Sequence, residues 1–370
     1  MNLPPFKLER YFAQYEFNTE FLLCSSDCEA MSIADLLALE EGAMEKFQRV
    51  WLGYTESQGS PTLRKEITNI YEMIQPEDIL VHSGAEEAIF LFIHAAFKNG
   101  DHIIVHSPCY QSLADIATST GCDVSPWFAR EENSWALDLD ELRHLMRTNT
   151  KGIIVNTPHN PTGYLMSRAD FEAVNKFTQE NKLLLFFDEV YRESEYDAAQ
   201  RLPAACDIGK HAVSLGVTSK TYGLAGLRIG WIATKNKKIY QSMASLKDYT
   251  TICNSAPSEF LAEVAMRNRQ KLIARNLDII KNNLEVVDEL FTRHASLFSW
   301  VRPTAGSIGF PRLLQGDIED FCDTLVRQKG VLLLPGTMYD DSGNHFRIGL
   351  GRKNLPQAIE RLEEYLTKQK

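Results

Sequence analysis

With 370 residues, 44% hydrophobic, 24% charged and a formal net charge of −10, the chain has the composition of a globular protein too long for one small core. The acidic balance disfavours nonspecific attraction to nucleic acid, and no local basic patch stands out against it. No apolar run approaches the roughly 20 residues that cross a bilayer, and the N-terminus carries neither a signal pattern nor an arginine- and serine-rich leader, so the expected compartment is the cytoplasm.

The seven cysteines are scattered, and Cys24 and Cys28 are the only close pair. With no Cys-x-x-Cys and no second Cys/His pair at zinc spacing, they read as small buried apolar residues in a reduced compartment, and no metal site is expected. From about residue 77 short apolar or β-branched runs alternate with amphipathic stretches, the pattern of an α/β sheet with helical crossovers. Predicted strands cover 79–82, 103–106, 152–156, 183–187, 212–217 and 228–233, with helices at 86–97, 112–120, 139–146 and 167–180, the last opening on Ser167 as N-cap. Ile273, Leu277, Ile280, Leu284, Val287 and Phe291 then mark one face of a long helix that can bridge two units. Beyond it, 300–314, 331–335 and 345–350 read as strands and 318–328 and 356–366 as helices, a second and smaller α/β unit. No repeat or Gly/Ser/Pro-rich linker separates the two.

Ligands of open α/β sheets gather at the carboxyl ends of the strands. The first predicted strand leads into Ser83-Gly84-Ala85-Glu86-Glu87, either an ordinary turn or a helix start whose free N–H groups suit a phosphate. The second leads into Ser107-Pro108-Cys109-Tyr110, where the ring is a core tyrosine or a stacking platform. The third leads into Thr157-Pro158-His159-Asn160-Pro161-Thr162-Gly163, a proline-stiffened loop that can aim Asn160 at a ligand oxygen, with His159 in a supporting place. The fourth ends at Asp188-Glu189-Val190-Tyr191, and a carboxylate there should face a cation or a protonated ring nitrogen. The fifth leads into Ser219-Lys220 and a glycine-rich turn closing on Arg228. That turn is a plain reversal, or a site in which Lys220 forms a Schiff base with a carbonyl cofactor while Arg228 grips a phosphate.

Asn160-Pro161-Thr162-Gly163, Asp188-Glu189-Val190-Tyr191, Ser219-Lys220 with Arg228 eight positions on, and Phe346-Arg347-Ile348-Gly349 resemble, in order and spacing, the class I/II aminotransferases of pyridoxal 5′-phosphate (PLP) fold type I, over about residues 40–365. The resemblance implies a large PLP-binding domain at 45–280 with a mainly parallel seven-stranded sheet. It also implies a small α/β domain at 281–370, with an N-terminal segment, 1–44, packed on it. Lys220 would hold PLP as an internal aldimine and then move the proton at the substrate carbon. Asp188 would pair with the pyridine nitrogen, Asn160 and Tyr191 would bond the phenolic oxygen, and Tyr110 would stack on the ring. Arg228 and the N–H groups of Gly84, Ala85 and Glu86 would hold the phosphate, Tyr54 would reach the phosphate of a second subunit in a homodimer, and Arg347, with Asn160 beside it, would bind the substrate carboxylate. From its own residues Arg347 is an unremarked surface arginine.

The implied reaction passes an amino group from an L-amino acid to a 2-oxo acid. The same fold also hosts β-lyases and synthases, and a PLP-binding regulator without turnover is the reading from another class. Two departures stand out. Val217 occupies the place, three before the lysine, where many relatives have a phosphate-binding serine, leaving either Thr218 or Ser219 to substitute or the phosphate with one contact fewer. Residues 23–28 lack the glycine of the segment that closes over the substrate. No second arginine is assignable to a side-chain carboxylate, so a dicarboxylate preference is unsupported.

Overall fold

The computed structural model describes residues 3–367 of the chain. Seven strands, β1 (Ile79–His82), β2 (His102–Ser107), β3 (Asp123–Phe128), β4 (Thr150–Asn156), β5 (Leu184–Asp188), β6 (Ala212–Val217) and β7 (Gly230–Ala233), form one sheet in the order β1-β7-β6-β5-β4-β2-β3. β2 to β6 pair in parallel, and β7 is antiparallel to both β1 and β6. β1, β6 and β7 are buried at every position, which requires cover on both faces. Alternate side chains supply the two cores: Leu80, Ile154 and Phe186 pack under the helices Gly84–Ala96 and Lys237–Lys247, while Ile153, Val155, Leu185 and Phe187 pack under the helix Arg168–Glu180. That last helix starts where the sequence places it, Ser167 Oγ accepting from the Asp170 amide at 3.1 Å.

The edge strand β3 has no counterpart among the predicted strands. Pro126 sits inside it, opposite Val105, a position tolerated where one side of the strand has no neighbour to bond. The strand predicted at 228–233 begins only at Gly230, because Arg228 has φ 52° and cannot continue an extended run. Since β7 runs against its neighbours, its start lies level with the ends of β1 and β6, Gly230 facing His82 and Val217. The loop 218–229 is therefore a hairpin placed at the carboxyl edge of the sheet.

The helix Arg269–Arg293 belongs to two cores, with Leu272 and Ile273 packed beside the sheet and Ile280, Leu284, Val287 and Phe291 in a separate C-terminal core. That second core also takes the helices Ile318–Lys329 and Leu355–Thr367 and the short strands β8 (Phe298–Ser299), β10 (Arg312–Leu313) and β12 (Phe346–Gly349), while β9 (Ile308–Gly309) and β11 (Leu334–Pro335), paired with β12, turn Ile308 and Leu334 into the two cores of the sheet. The continuous strand predicted at 300–314 is overturned: β9, β10 and a single bridge from Ala305 to Glu195 are all that pair there, because Pro303, Gly306 and Pro311 interrupt the run. Its irregular part instead bonds across to the sheet unit, the Thr304 and Ala305 amides donating to Gly163 O at 3.1 and 3.2 Å. Residues before 44, expected together against the smaller unit, divide: Phe21 and Leu23 join the C-terminal core, whereas Leu36, Leu37 and Ala43 join the core beside the sheet. No helix among the described residues is long and apolar enough to cross a membrane.

Candidate active site

A cavity of about 380 Å³ opens at the carboxyl ends of β4, β5 and β6. Lys220 and Arg228 enter it from the β6–β7 hairpin, Asp188 and Tyr191 from the end of β5, Asn160 from the loop after β4, and Arg347 from β12. Ala85, Glu86 and Tyr110 also line it.

Lys220 Nζ donates to Ser26 Oγ at 2.7 Å. Burial pushes its ammonium below the ordinary value against the attraction of Asp27, and the charge of Arg347 adds to the lowering. Burial lifts the Asp188 carboxyl from 3.8 to about 7, against a hydrogen bond from the Val190 amide (3.2 Å) and the charge of Lys220. A carboxyl so placed takes its charge readily only when a cation faces it.

Arg347, a surface residue on sequence grounds, is 1% exposed, because β12 pairs with β9 and β11 and turns the side chain inward. Its Nε donates to Cys24 O at 2.9 Å, and its Nη1 to Asn160 Oδ1 at 3.3 Å and to the Tyr339 hydroxyl. Nη2 is buried without a partner. Leaving such a donor unmade is costly, and a carboxylate is the acceptor a guanidinium fork suits best. Asn160 Oδ1 also accepts from the Tyr339 hydroxyl at 3.0 Å, which leaves its amide nitrogen for a ligand.

The helix Gly84–Ala96 begins at φ 84°, and a Cβ built on Gly84 would come within 2.4 Å of Arg228 Nη2. Only glycine lets the free N–H groups of that helix start and the guanidinium converge on one anion. Of the two substitutes for the missing serine, Thr218 is buried and turned away, donating to Ile229 O at 3.0 Å, whereas Ser219 lines the cavity and accepts from Arg228 Nη1 at 3.4 Å. Val217 contributes wall. An anion seat, a ring-sized space bounded by Tyr110 and Val190, a buried carboxyl and a partly buried lysine together fit PLP.

Two sequence-predicted residues stand apart. Tyr54 is 86% exposed and does not line the cavity of its own chain. His159 lies beneath the site, bonded to Pro108 O and Thr162 Oγ1 at 2.8 Å each and stacked 3.7 Å from His106. Sequence reasoning set residues 23–28 over the substrate without giving Ser26 a role, and missed Tyr339 and the helix Lys7–Tyr15, whose Leu8, Glu9 and Phe12 wall the cavity. Amphipathic spacing could have flagged the helix, but nothing local to Ser26 or Tyr339 signals a role.

Residues 20–362 match the family of class I and II aminotransferases. Among curated relatives, the capreomycidine synthase of Streptomyces vinaceus is 27% identical over 98% of this chain and 94% of its own, and an aspartate aminotransferase of Sulfurisphaera tokodaii is 25% identical over 89% and 86%. Among solved structures, a PLP-dependent aminotransferase from Streptococcus suis superposes with TM-score 0.93 at 31% identity, covering 100% of this chain and 99% of that one. The PLP-dependent cyclase OrfR follows with TM-score 0.91 at 27% identity and the same coverage. The chain belongs to the class I and II aminotransferases, enzymes dependent on pyridoxal 5′-phosphate.

Proposed function

We propose that this enzyme moves the amino group of an L-amino acid to a 2-oxo acid, with Lys220 carrying the proton. The observation that carries the reading is the unpartnered Nη2 of buried Arg347 on the cavity that also holds Lys220. When bound, PLP supplies an electron sink for bond-breaking at the substrate's α-carbon. Arg228, the amides of Gly84, Ala85 and Glu86, and Ser219 would hold its phosphate; Asp188 would face its ring nitrogen, Asn160 and Tyr191 its phenolic oxygen, and Tyr110 its face.

Arg347 takes the substrate carboxylate, and Tyr339 and Cys24 O fix the guanidinium so that little orientation is lost on binding. Lys220, whose ammonium burial holds below its ordinary value, would take the α-proton and return it, and Ser26 Oγ accepts from its amine at 2.7 Å. Replacing Lys220 by Ala should abolish the visible band of the loaded protein and cut oxo-acid formation on the order of a thousandfold. A K220A protein with an unaltered band and rate overturns the reading.

The pairing of two chains belongs to the same proposal. Trp51, Leu52 and Tyr54 are 80%, 81% and 86% exposed, and Tyr249 is 90% exposed on a segment joined to theirs by Thr55 Oγ1 donating to Asn254 O at 3.2 Å. An apolar group this exposed suits a second copy whose cofactor phosphate Tyr54 would reach.

A second reading, a PLP-dependent synthase, is favoured by end-to-end similarity to capreomycidine synthase and to a cyclase. The two part on the fate of nitrogen. Incubation with one amino acid and no acceptor yields one 2-oxo acid per site if the amino group is transferred, and a nitrogen-bearing product or free ammonia over many turnovers otherwise.

A further inference from the structure

When each ionisable group of the cavity is set against the part of cofactor or substrate it suits, negative charge is left over. Lys220, Arg228 and Arg347 are the bases of the lining, and Asp188 answers the ring nitrogen. Glu9, Glu16, Asp27 and Glu86 remain, with no further base on the lining to meet them. Two of these are engaged: Arg352 Nη2 donates to Asp27 Oδ1 at 2.8 Å, and Glu86 accepts from Ser112 Oγ at 3.1 Å while burial lifts it to about 7. Glu9 accepts only from the Tyr110 hydroxyl, at 3.4 Å, and Glu16 has no ion pair or side-chain hydrogen bond among the described residues. Burial, and next the charges of Asp27 and Glu9, hold the Glu16 carboxyl above its ordinary value against the attraction of Arg352.

The placement of these acids follows the helix. Glu9 and Glu16 lie seven residues apart, two turns along one face of Lys7–Tyr15 and its C-cap, with Leu8 and Phe12 beside them. The Phe12 ring centre is 5.9 Å from the Arg347 guanidinium carbon, so the helix borders the carboxylate end of the substrate. The buried, unpartnered Nη2 of Arg347 sets that end independently of the acids. The side chain of an amino acid held there would meet the wall formed by Leu8 and Phe12, which Glu9 and Glu16 share. An aliphatic stem ending in a cation satisfies both, whereas an acidic side chain meets uncompensated like charge.

On the amino-transfer reading above, we propose that the substrate is an L-amino acid with a positively charged side-chain terminus, held by Glu9 and Glu16. The des-amino analogues of arginine and citrulline test this, because they differ in terminal charge and cannot enter the reaction. Calorimetric titration of the cofactor-loaded protein should show the guanidine analogue binding at least about tenfold tighter than the urea analogue. In Glu16→Gln, and further in the double variant with Glu9→Gln, that ratio should fall toward unity, with the retained visible band showing that the cofactor is seated. Equal affinities in the unaltered protein, or a ratio that survives in the double variant, overturn the proposal. A charge preference in binding with no oxo acid formed from any amino acid supports the proposal and removes the amino-transfer reading instead.

Discussion

A carboxyl sealed at the end of an apolar strand titrates according to what faces it. Asp188 is raised on folding from 3.8 to about 7, so its contribution to stability is complete below about pH 4 and is lost as the pH rises through about 7. Glu86, raised from 4.5 to about 7 by burial, acts in the same direction. Protein stripped of PLP should therefore lose stability between pH 4 and pH 7, and Asp188→Asn should flatten that slope without removing it. Chemical unfolding at several pH values measures this, and an unchanged slope in the variant contradicts the assignment. At the other end of the cavity, Arg347→Gln should raise KM for the amino acid roughly 10- to 100-fold while leaving the cofactor band intact, because the hydrogen bonds lost go to a charged group. Steady-state kinetics with a spectrum of each preparation separates this from general damage.

At the scale of elements, the helix Gly84–Ala96 meets the β6–β7 hairpin through one glycine. Gly84→Ala forces a side chain into φ 84° and against Arg228 Nη2, and PLP affinity should fall at least about tenfold by titration. Ser167→Ala, far from the site, should cost about 1 kcal/mol of stability by loss of its cap and leave KM unchanged. The strands that carry Asn160, Asp188 and Lys220 were legible because strands buried on both faces leave continuous apolar runs, and the motif residues follow directly on them. β3 was not, since Pro126 breaks the pattern in an edge strand that tolerates it. Tyr339 and Ser26 were illegible for another reason: the first reaches Arg347 only through the turn Gly336–Tyr339, and the second reaches Lys220 across 194 positions of chain. Contacts made solely by tertiary packing leave no local pattern to read.

For the whole molecule, the exposed group of Trp51, Leu52, Tyr54 and Tyr249 predicts two chains per particle in sedimentation equilibrium. Trp51→Glu with Tyr249→Glu should shift the mass toward one chain; a single-chain mass for the unaltered protein refutes the pairing. Lys220 and Arg228 stand on one hairpin between two paired strands, at a spacing set by eight residues of chain. Arg347 and the Phe21–Val331 bridge stand instead with the C-terminal core, beyond the long helix. On the proposed roles, the two grips on the cofactor share one hairpin, and the grip on the substrate stands on a different element. Any relative rotation about the helix Arg269–Arg293 would widen or narrow the substrate's space while leaving lysine, phosphate seat and ring in fixed relation. Entry and release would then be adjusted without disturbing the chemistry.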